Sequence, residues 1–157
     1  MLPEPPEHIH IIPPDAPVNT YDLVSIADLG MVYTTTVGLE FAMAGVPVIV
    51  VGNTHYRGKG FTIDPISWDD YFANLEHALK HPDNLKPSKQ KVQDAWHYAY
   101  RFFFNYPLAY PWHLLYFWDD ADQWPLERVL TEEGLGKFGK TFSYLLGEPV
   151  DWLGTGN

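Results

Sequence analysis

Two short apolar runs with a hydroxyl-rich segment between them constrain this chain more than anything else in it. Leu29-Gly30-Met31-Val32-Tyr33 is β-prone, and so is Val46-Pro47-Val48-Ile49-Val50-Val51-Gly52. Between them stand Thr34-Thr35-Thr36-Val37-Gly38-Leu39-Glu40 and Phe41-Ala42-Met43-Ala44-Gly45. Helix starts favour hydroxyl side chains and helix ends favour glycine. The order is therefore strand, turn, short helix, tight turn, strand: one βαβ unit of a parallel sheet. Backbone N–H groups and the positive end of the helix dipole then emerge at the carboxyl end of a strand. Phosphates bind at such places, and ligands of open α/β sheets sit on that edge.

The loop after the second run, Asn53-Thr54-His55-Tyr56-Arg57-Gly58-Lys59-Gly60, holds the one cationic cluster next to this unit. It reads either as a loop closing over an anionic ligand or as an ordinary surface turn. Arg57 suits the first reading, because its fork matches phosphate and carboxylate. The setting is acidic: 157 residues carry a formal net charge of −10. A nucleic-acid binder would be basic, so that class is set aside. A nucleotide site needs only local positive potential. With 46% hydrophobic and 19% charged residues the chain is expected to fold and bury a core. The absence of cysteine excludes disulfides and thiolate metal sites. The acidic, proline-rich start, Met1 to Glu7, is unlike a signal peptide. The aliphatic stretch near residues 41–52 is too short to span a bilayer.

Residues 1–7 read as an extended lead-in, and 8–157 as a single α/β domain with its core in 8–66 and a helical part in 67–157. His8-Ile9-His10-Ile11-Ile12 is expected as a further strand. Its two histidines share a face, but no third metal ligand stands nearby, so an exposed strand end is preferred to a metal pair. Asn19 or Thr20 caps a helix through Ile26. Ser67 and Asp70 form a capping box for a helix that stops before Pro82. A second long helix starts near Pro87-Ser88 and runs through Val92, Ala95, Trp96, Ala99 and Phe103. Trp96 through Trp118 holds twelve aromatic residues. With so few Lys and Arg there, helix packing is preferred to membrane-surface contact. Asp119, Asp120 and Asp122 are assigned to capping or solvation rather than to a metal. Gly134 to Thr141 matches the phosphate-loop pattern G-x-x-x-x-G-K-S/T literally. It lacks the preceding buried strand, so a final helix from Phe138 to Leu146 is expected instead, ending at Gly147.

The central segment also carries a resemblance. Thr34 to Glu40 with Ala42, Gly45, Pro47-Val48-Ile49 and Gly52, followed by His55-Tyr56-Arg57-Gly58-Lys59-Gly60-Phe61-Thr62-Ile63-Asp64, resembles the bacterial capsule-polysaccharide biosynthesis family. That family includes Kdo and related sugar transferases of the GT-B type. The likeness covers residues 20–70, about a third of the chain. Thr35 stands where serine is common, and Phe41 separates Glu40 from Ala42.

The resemblance implies a Rossmann-like parallel three-layer fold, the C-terminal donor portion of a GT-B enzyme, followed by a mainly helical part. It implies a nucleotide-activated sugar as substrate, CMP-Kdo first, with no cofactor required. On it, the hydroxyls of Thr34, Thr35 and Thr36 with the N–H groups of Val37 and Gly38 are assigned to the donor phosphates, and Glu40 to ribose hydroxyls. His55, Tyr56, Arg57, Lys59 and Gly60 are assigned to the donor from the loop. The catalytic base is expected from an N-terminal acceptor domain outside this chain, so the isolated chain is expected to be inactive. Three strands are half of the about six in a full doubly wound sheet. The chain is therefore expected to be a donor-domain fragment that self-associates through its bare sheet edge. The expected partners are the nucleotide sugar and a saccharide or glycolipid acceptor. The expected location is cytoplasmic, at or near the inner face of the membrane. A CDP-glycerol-type glycerophosphotransferase and a non-catalytic interaction module are the alternatives.

Overall fold

The computed structural model describes residues 5–150, so residues 1–4 of the lead-in lie outside the described residues. The protein is α/β and mostly helical, with seven α-helices and a two-stranded parallel sheet among the described residues. It divides into two compact units at Trp96/His97.

In the first unit α1 spans Thr20–Ile26 and is capped by Asn19, whose Oδ1 accepts from the Tyr21 N–H at 2.9 Å. Strand β1 (Gly30–Val32), helix α2 (Val37–Met43) and strand β2 (Val48–Val50) follow. β1 and β2 pair in parallel, Gly30 opposite Val48 and Val32 opposite Val50. Both strands are shorter than the apolar runs that contain them. The ladder still continues past them, with Gly30 N–H donating to Pro47 O at 2.8 Å and Gly52 N–H to Tyr33 O at 3.0 Å. α2 ends because Gly45 takes φ +77°, a conformation open to glycine. The Val46 N–H then reaches Phe41 O and the Gly45 N–H reaches Ala42 O, which closes the helix end and turns the chain into β2.

β2 is buried on both faces and has a neighbour along each edge. Opposite β1 lies Ile63, which bridges Ile49; its N–H donates to Val48 O and its carbonyl accepts from the Val50 N–H, both at 2.9 Å. The strand expected at His8–Ile12 is not formed. That segment is irregular, its Ile9 N–H turns back to Pro6 O, and Ile9, Ile11 and Ile12 are exposed. Prolines at 5, 6, 13 and 14 crowd it on both sides, and they supply no ladder N–H. A three-layer sheet is accordingly not formed among the described residues.

Helix α3 spans Trp68–Lys80. Ser67 Oγ accepts from the Asp70 N–H at 3.1 Å, and Asp70 Oδ2 accepts in return from the Ile66 N–H at 2.9 Å, a capping exchange shifted one residue upstream. A 3-10 turn at Pro82–Leu85 leads to α4, Lys89–Tyr100, whose early turns face α2: Val92 lies against Gly45, and the Trp96 indole donates to Met43 O at 3.0 Å.

The second unit takes in the last residues of α4, from His97, and then a π-turn at Arg101–Asn105, α5 (Phe117–Gln123), α6 (Leu126–Val129) and α7 (Glu132–Leu145). Its core is Trp124, Val129 and Phe138, with Trp112 and Phe142 packed on it. The aromatic segment divides: Trp112 donates to Trp124 O and packs inward, whereas Phe104, Tyr116 and Trp118 are exposed. Asp119, Asp120 and Asp122 lie in α5, and Asp120 accepts from both His113 N and Nδ1. Gly134 to Thr141 is entirely helical, inside α7, so no phosphate loop exists there. Gly134 is needed because a Cβ would stand 2.3 Å from Val129 O. α7 starts six residues before the expected Phe138, at a Thr131 cap, and ends at Leu145, one residue short of the expected Leu146, with Gly147 (φ +92°) just past the C-cap as the stop. No helix among the described residues is long and apolar enough to cross a membrane.

Candidate functional site

The carboxyl ends of β1 and β2 bring the motif residues to one edge of the first unit. The two strand ends approach closely: a Cβ at Gly52 would lie 2.5 Å from Tyr33 O and 2.7 Å from Thr34 Cγ2. After Tyr33 the chain turns through the exposed Thr34, Thr35 and Thr36 into α2. Thr35 organises the turn. Its Oγ1 accepts from the Val37 N–H and its carbonyl from the Gly38 N–H, each at a long 3.4 Å. Thr36 caps α2 with its backbone, without a side-chain bond. Gly38 is buried and Glu40 half-buried, a turn further on.

Tyr56 lies inside, fully buried, rather than on the loop surface. Its hydroxyl donates to Thr35 O at 2.5 Å, and a Cβ at Gly38 would sit 2.3 Å from that oxygen. Burial pushes the phenol above its ordinary pKa, and the Asp64 carboxylate adds to the shift. Tyr56 is thus a pillar under the threonine turn. The His55 ring meets it edge-on at 5.1 Å, and burial holds the imidazole below its ordinary pKa.

Arg57 caps the carboxyl end of β2. Its Nη1 donates to the carbonyls of Val50, Val51 (3.0 Å) and Gly52 (3.4 Å), and its Nη2 to Pro65 O. A planar fork bearing several donors satisfies carbonyls that a strand end would otherwise leave open. Gly58 (φ +73°) and Gly60 (φ +90°) turn the loop, with Lys59 exposed between them. Asp64 ties the loop shut: Oδ2 accepts from the Gly58 N–H at 2.8 Å and Oδ1 from the Thr62 hydroxyl at 2.7 Å. Tyr56, Gly58, Gly60, Thr62 and Asp64 therefore each hold the loop's shape.

A cavity of about 530 Å³ opens on this edge, lined by Tyr33, Val51, Gly52, Asn53, Arg57, Pro65, Ile66, Ser67, Trp68 and Tyr71. Of the sequence-predicted site residues only Arg57 lines it; the threonine turn adjoins it through Tyr33. Tyr33, Asn53, Trp68 and Tyr71 were not singled out as site residues. Trp68 and Tyr71 carried a readable signal, since a three-residue spacing at the start of a capped helix puts two aromatics on one face. No protein-family model, curated protein or solved structure matches the chain.

Proposed function

We propose that this chain is the donor-binding portion of a glycosyltransferase of capsule or surface-polysaccharide biosynthesis, working on a nucleotide-activated sugar, CMP-Kdo first. The observation that carries the reading is the cavity at the carboxyl edge of a parallel β-α-β unit, immediately after which Tyr33 leads into the threonine turn. That edge is where α/β folds bind ligands. On this reading β1, α2, β2 and the Ile63 bridge belong to a larger Rossmann-like sheet of the GT-B type.

The exposed hydroxyls of Thr34, Thr35 and Thr36 receive the donor phosphates. The Val37 and Gly38 N–H groups make only long bonds to Thr35 and exchange them for phosphate oxygens. Glu40 takes the ribose. His55, Lys59 and Gly60 approach the donor from the loop, while Tyr56 and Arg57 act by positioning the turn and the strand end. The chemistry asked of such a portion is orientation of the donor and stabilisation of the departing phosphate. The acceptor saccharide or glycolipid and the base belong to a second domain, and the enzyme works on the cytoplasmic side, at or near the membrane.

Calorimetric titration with CMP, CDP, UDP and GDP tests the reading. One nucleotide is expected to bind, and Glu40→Ala to weaken it. A folded chain that binds none of the four, or binds one equally well after Glu40→Ala, would overturn these assignments. CDP-glycerol bound in preference to CMP would shift the reading to a glycerophosphotransferase.

A further inference from the structure

The cavity wall is more aromatic than a phosphate site requires. Tyr33 and Trp68 are 70% and 68% exposed, and Tyr71 stands one turn beyond Trp68 on the same side of α3. The Trp68 and Tyr71 rings lie 5.7 Å apart at 90°. They make a corner with one face and one edge, not a parallel-walled slot that would clamp a nucleobase. Among the described residues no hydrogen bond engages the Tyr33 or Tyr71 hydroxyls, the Trp68 indole N–H or the Asn53 amide. Apolar faces and unspent donors thus surround the same opening. The supporting shell is fixed, because Ser67 is held by the α3 cap and Arg57 by the carbonyls of β2. A volume of about 530 Å³ suits a small molecule rather than a chain segment.

A pyranose has the complementary form. Its C–H face is apolar and packs on an aromatic face, while its equatorial hydroxyls need donors and acceptors around the rim. We propose that this cavity is a saccharide subsite, in which a pyranose ring stacks on Trp68 with Tyr33, Tyr71 and Asn53 bonding its hydroxyls. The inference deepens the donor reading and rests on it for the choice of a glycan as ligand.

The test is an NMR titration of the full chain, following the six Trp indole signals. The probes are methyl glycosides of glucose, galactose and N-acetylglucosamine, N-acetylneuraminic acid, and CMP alone. At least one saccharide is expected to shift the Trp68 signal, assigned through Trp68→Phe. Trp68→Ala is expected to weaken that saccharide about tenfold, the loss of one stacked ring, and Trp68→Phe to restore most of it. CMP affinity is expected to be unchanged in both variants and reduced in Glu40→Ala. Trp68 is largely exposed, so neither substitution threatens folding. If no saccharide binds, or if Trp68→Ala leaves saccharide affinity intact, the subsite is overturned. If CMP, not a saccharide, moves Trp68, the cavity is a base pocket and the inference fails while the donor reading stands. Saccharide binding that depends on Trp68, without binding of any nucleotide, supports the subsite and refutes the donor reading.

Discussion

Replacing Gly38 with alanine tests whether α2 is seated on Tyr56. The added methyl would stand 2.3 Å from Tyr56 Oη, 2.7 Å from Val32 Cγ2 and 3.0 Å from Tyr56 Cζ. Neither neighbour has room to withdraw: Tyr56 is fully buried, Val32 is 8% exposed, and the phenol is held by Thr35 O. Overpacking of this kind costs about 1–3 kcal/mol. Against it stands the gain from replacing a helical glycine by alanine, about 1 kcal/mol. Contacts of 2.3 and 2.7 Å are well inside van der Waals distance, which puts the clash at the upper end of that range, about 2–3 kcal/mol, so a net loss of about 1–2 kcal/mol is expected. Tyr56→Phe removes the nearest atom and by itself costs about 1 kcal/mol, because the Thr35 carbonyl loses its donor. In the double variant the penalty of Gly38→Ala is expected to shrink by about 1 kcal/mol, the coupling of two touching residues. Urea unfolding followed by far-UV circular dichroism reads all four proteins, with equal slopes as the check that only stability has changed. A neutral or stabilising Gly38→Ala, or strict additivity of the two substitutions, would refute this seating.

Three further outcomes follow from the same edge. Arg57→Lys keeps the charge but loses the fork that reaches Val50, Val51, Gly52 and Pro65; a loss of about 1–3 kcal/mol is expected, and an unchanged urea midpoint would show that the clamp is not holding β2. Asp64→Asn gives up the charged acceptor for Gly58 and Thr62, so about 1 kcal/mol is expected to go and the Gly58 amide to exchange faster with solvent; unaltered exchange contradicts the tie. For His55, burial sets the folded pKa below the ordinary 6.5, so the unfolded chain takes up the proton first as pH falls. Its contribution to stability is present above pH 6.5 and is lost as pH falls from there through the folded value. An imidazole NMR midpoint below 6.5 is expected, together with a flatter stability profile in His55→Gln, and a midpoint at or above 6.5 would reverse the sign.

How far the sequence could be read depended on whether the signals were local. The β1–α2–β2 unit was legible because hydroxyls, Gly38, Gly45 and two apolar runs fall in the only order a short crossover allows. The caps at Asn19 and Ser67 and the stop at Gly147 were legible for the same reason, since each is settled by residues within a turn. The strand at His8–Ile12 failed because a strand is settled by its partner, and alternation in five residues says nothing about one. The place beside β2 went instead to Ile63, a single bridged residue with no run around it to announce it. The cavity was invisible for a further reason. Tyr33, Asn53, Trp68 and Tyr71 come from three elements, and only the approach of the strand ends at Gly52 and the start of α3 puts them around one opening.

The loop motif shows most clearly why a role read from residue type can change when the fold is known. Tyr56, Arg57 and Lys59 invite assignment to a ligand because they are the polar residues of a cationic loop in an acidic chain. Yet the strand end that makes the edge suitable for a ligand also leaves carbonyls that need donors, and Arg57 is near enough to supply them. The turn that presents Thr34 to Thr36 needs a floor, and Tyr56 supplies it. On the proposed reading, such an edge divides its polar residues between building the site and touching its occupant. The threonines, Trp68 and Tyr33 are exposed on it, whereas Tyr56, Arg57 and Asp64 hold it in shape. Substitutions in the second group are expected to lower stability and, on the proposed reading, affinity together, and so to say little about a ligand. The first group can be altered with the fold intact, and it is there that the identity of the ligand can be read.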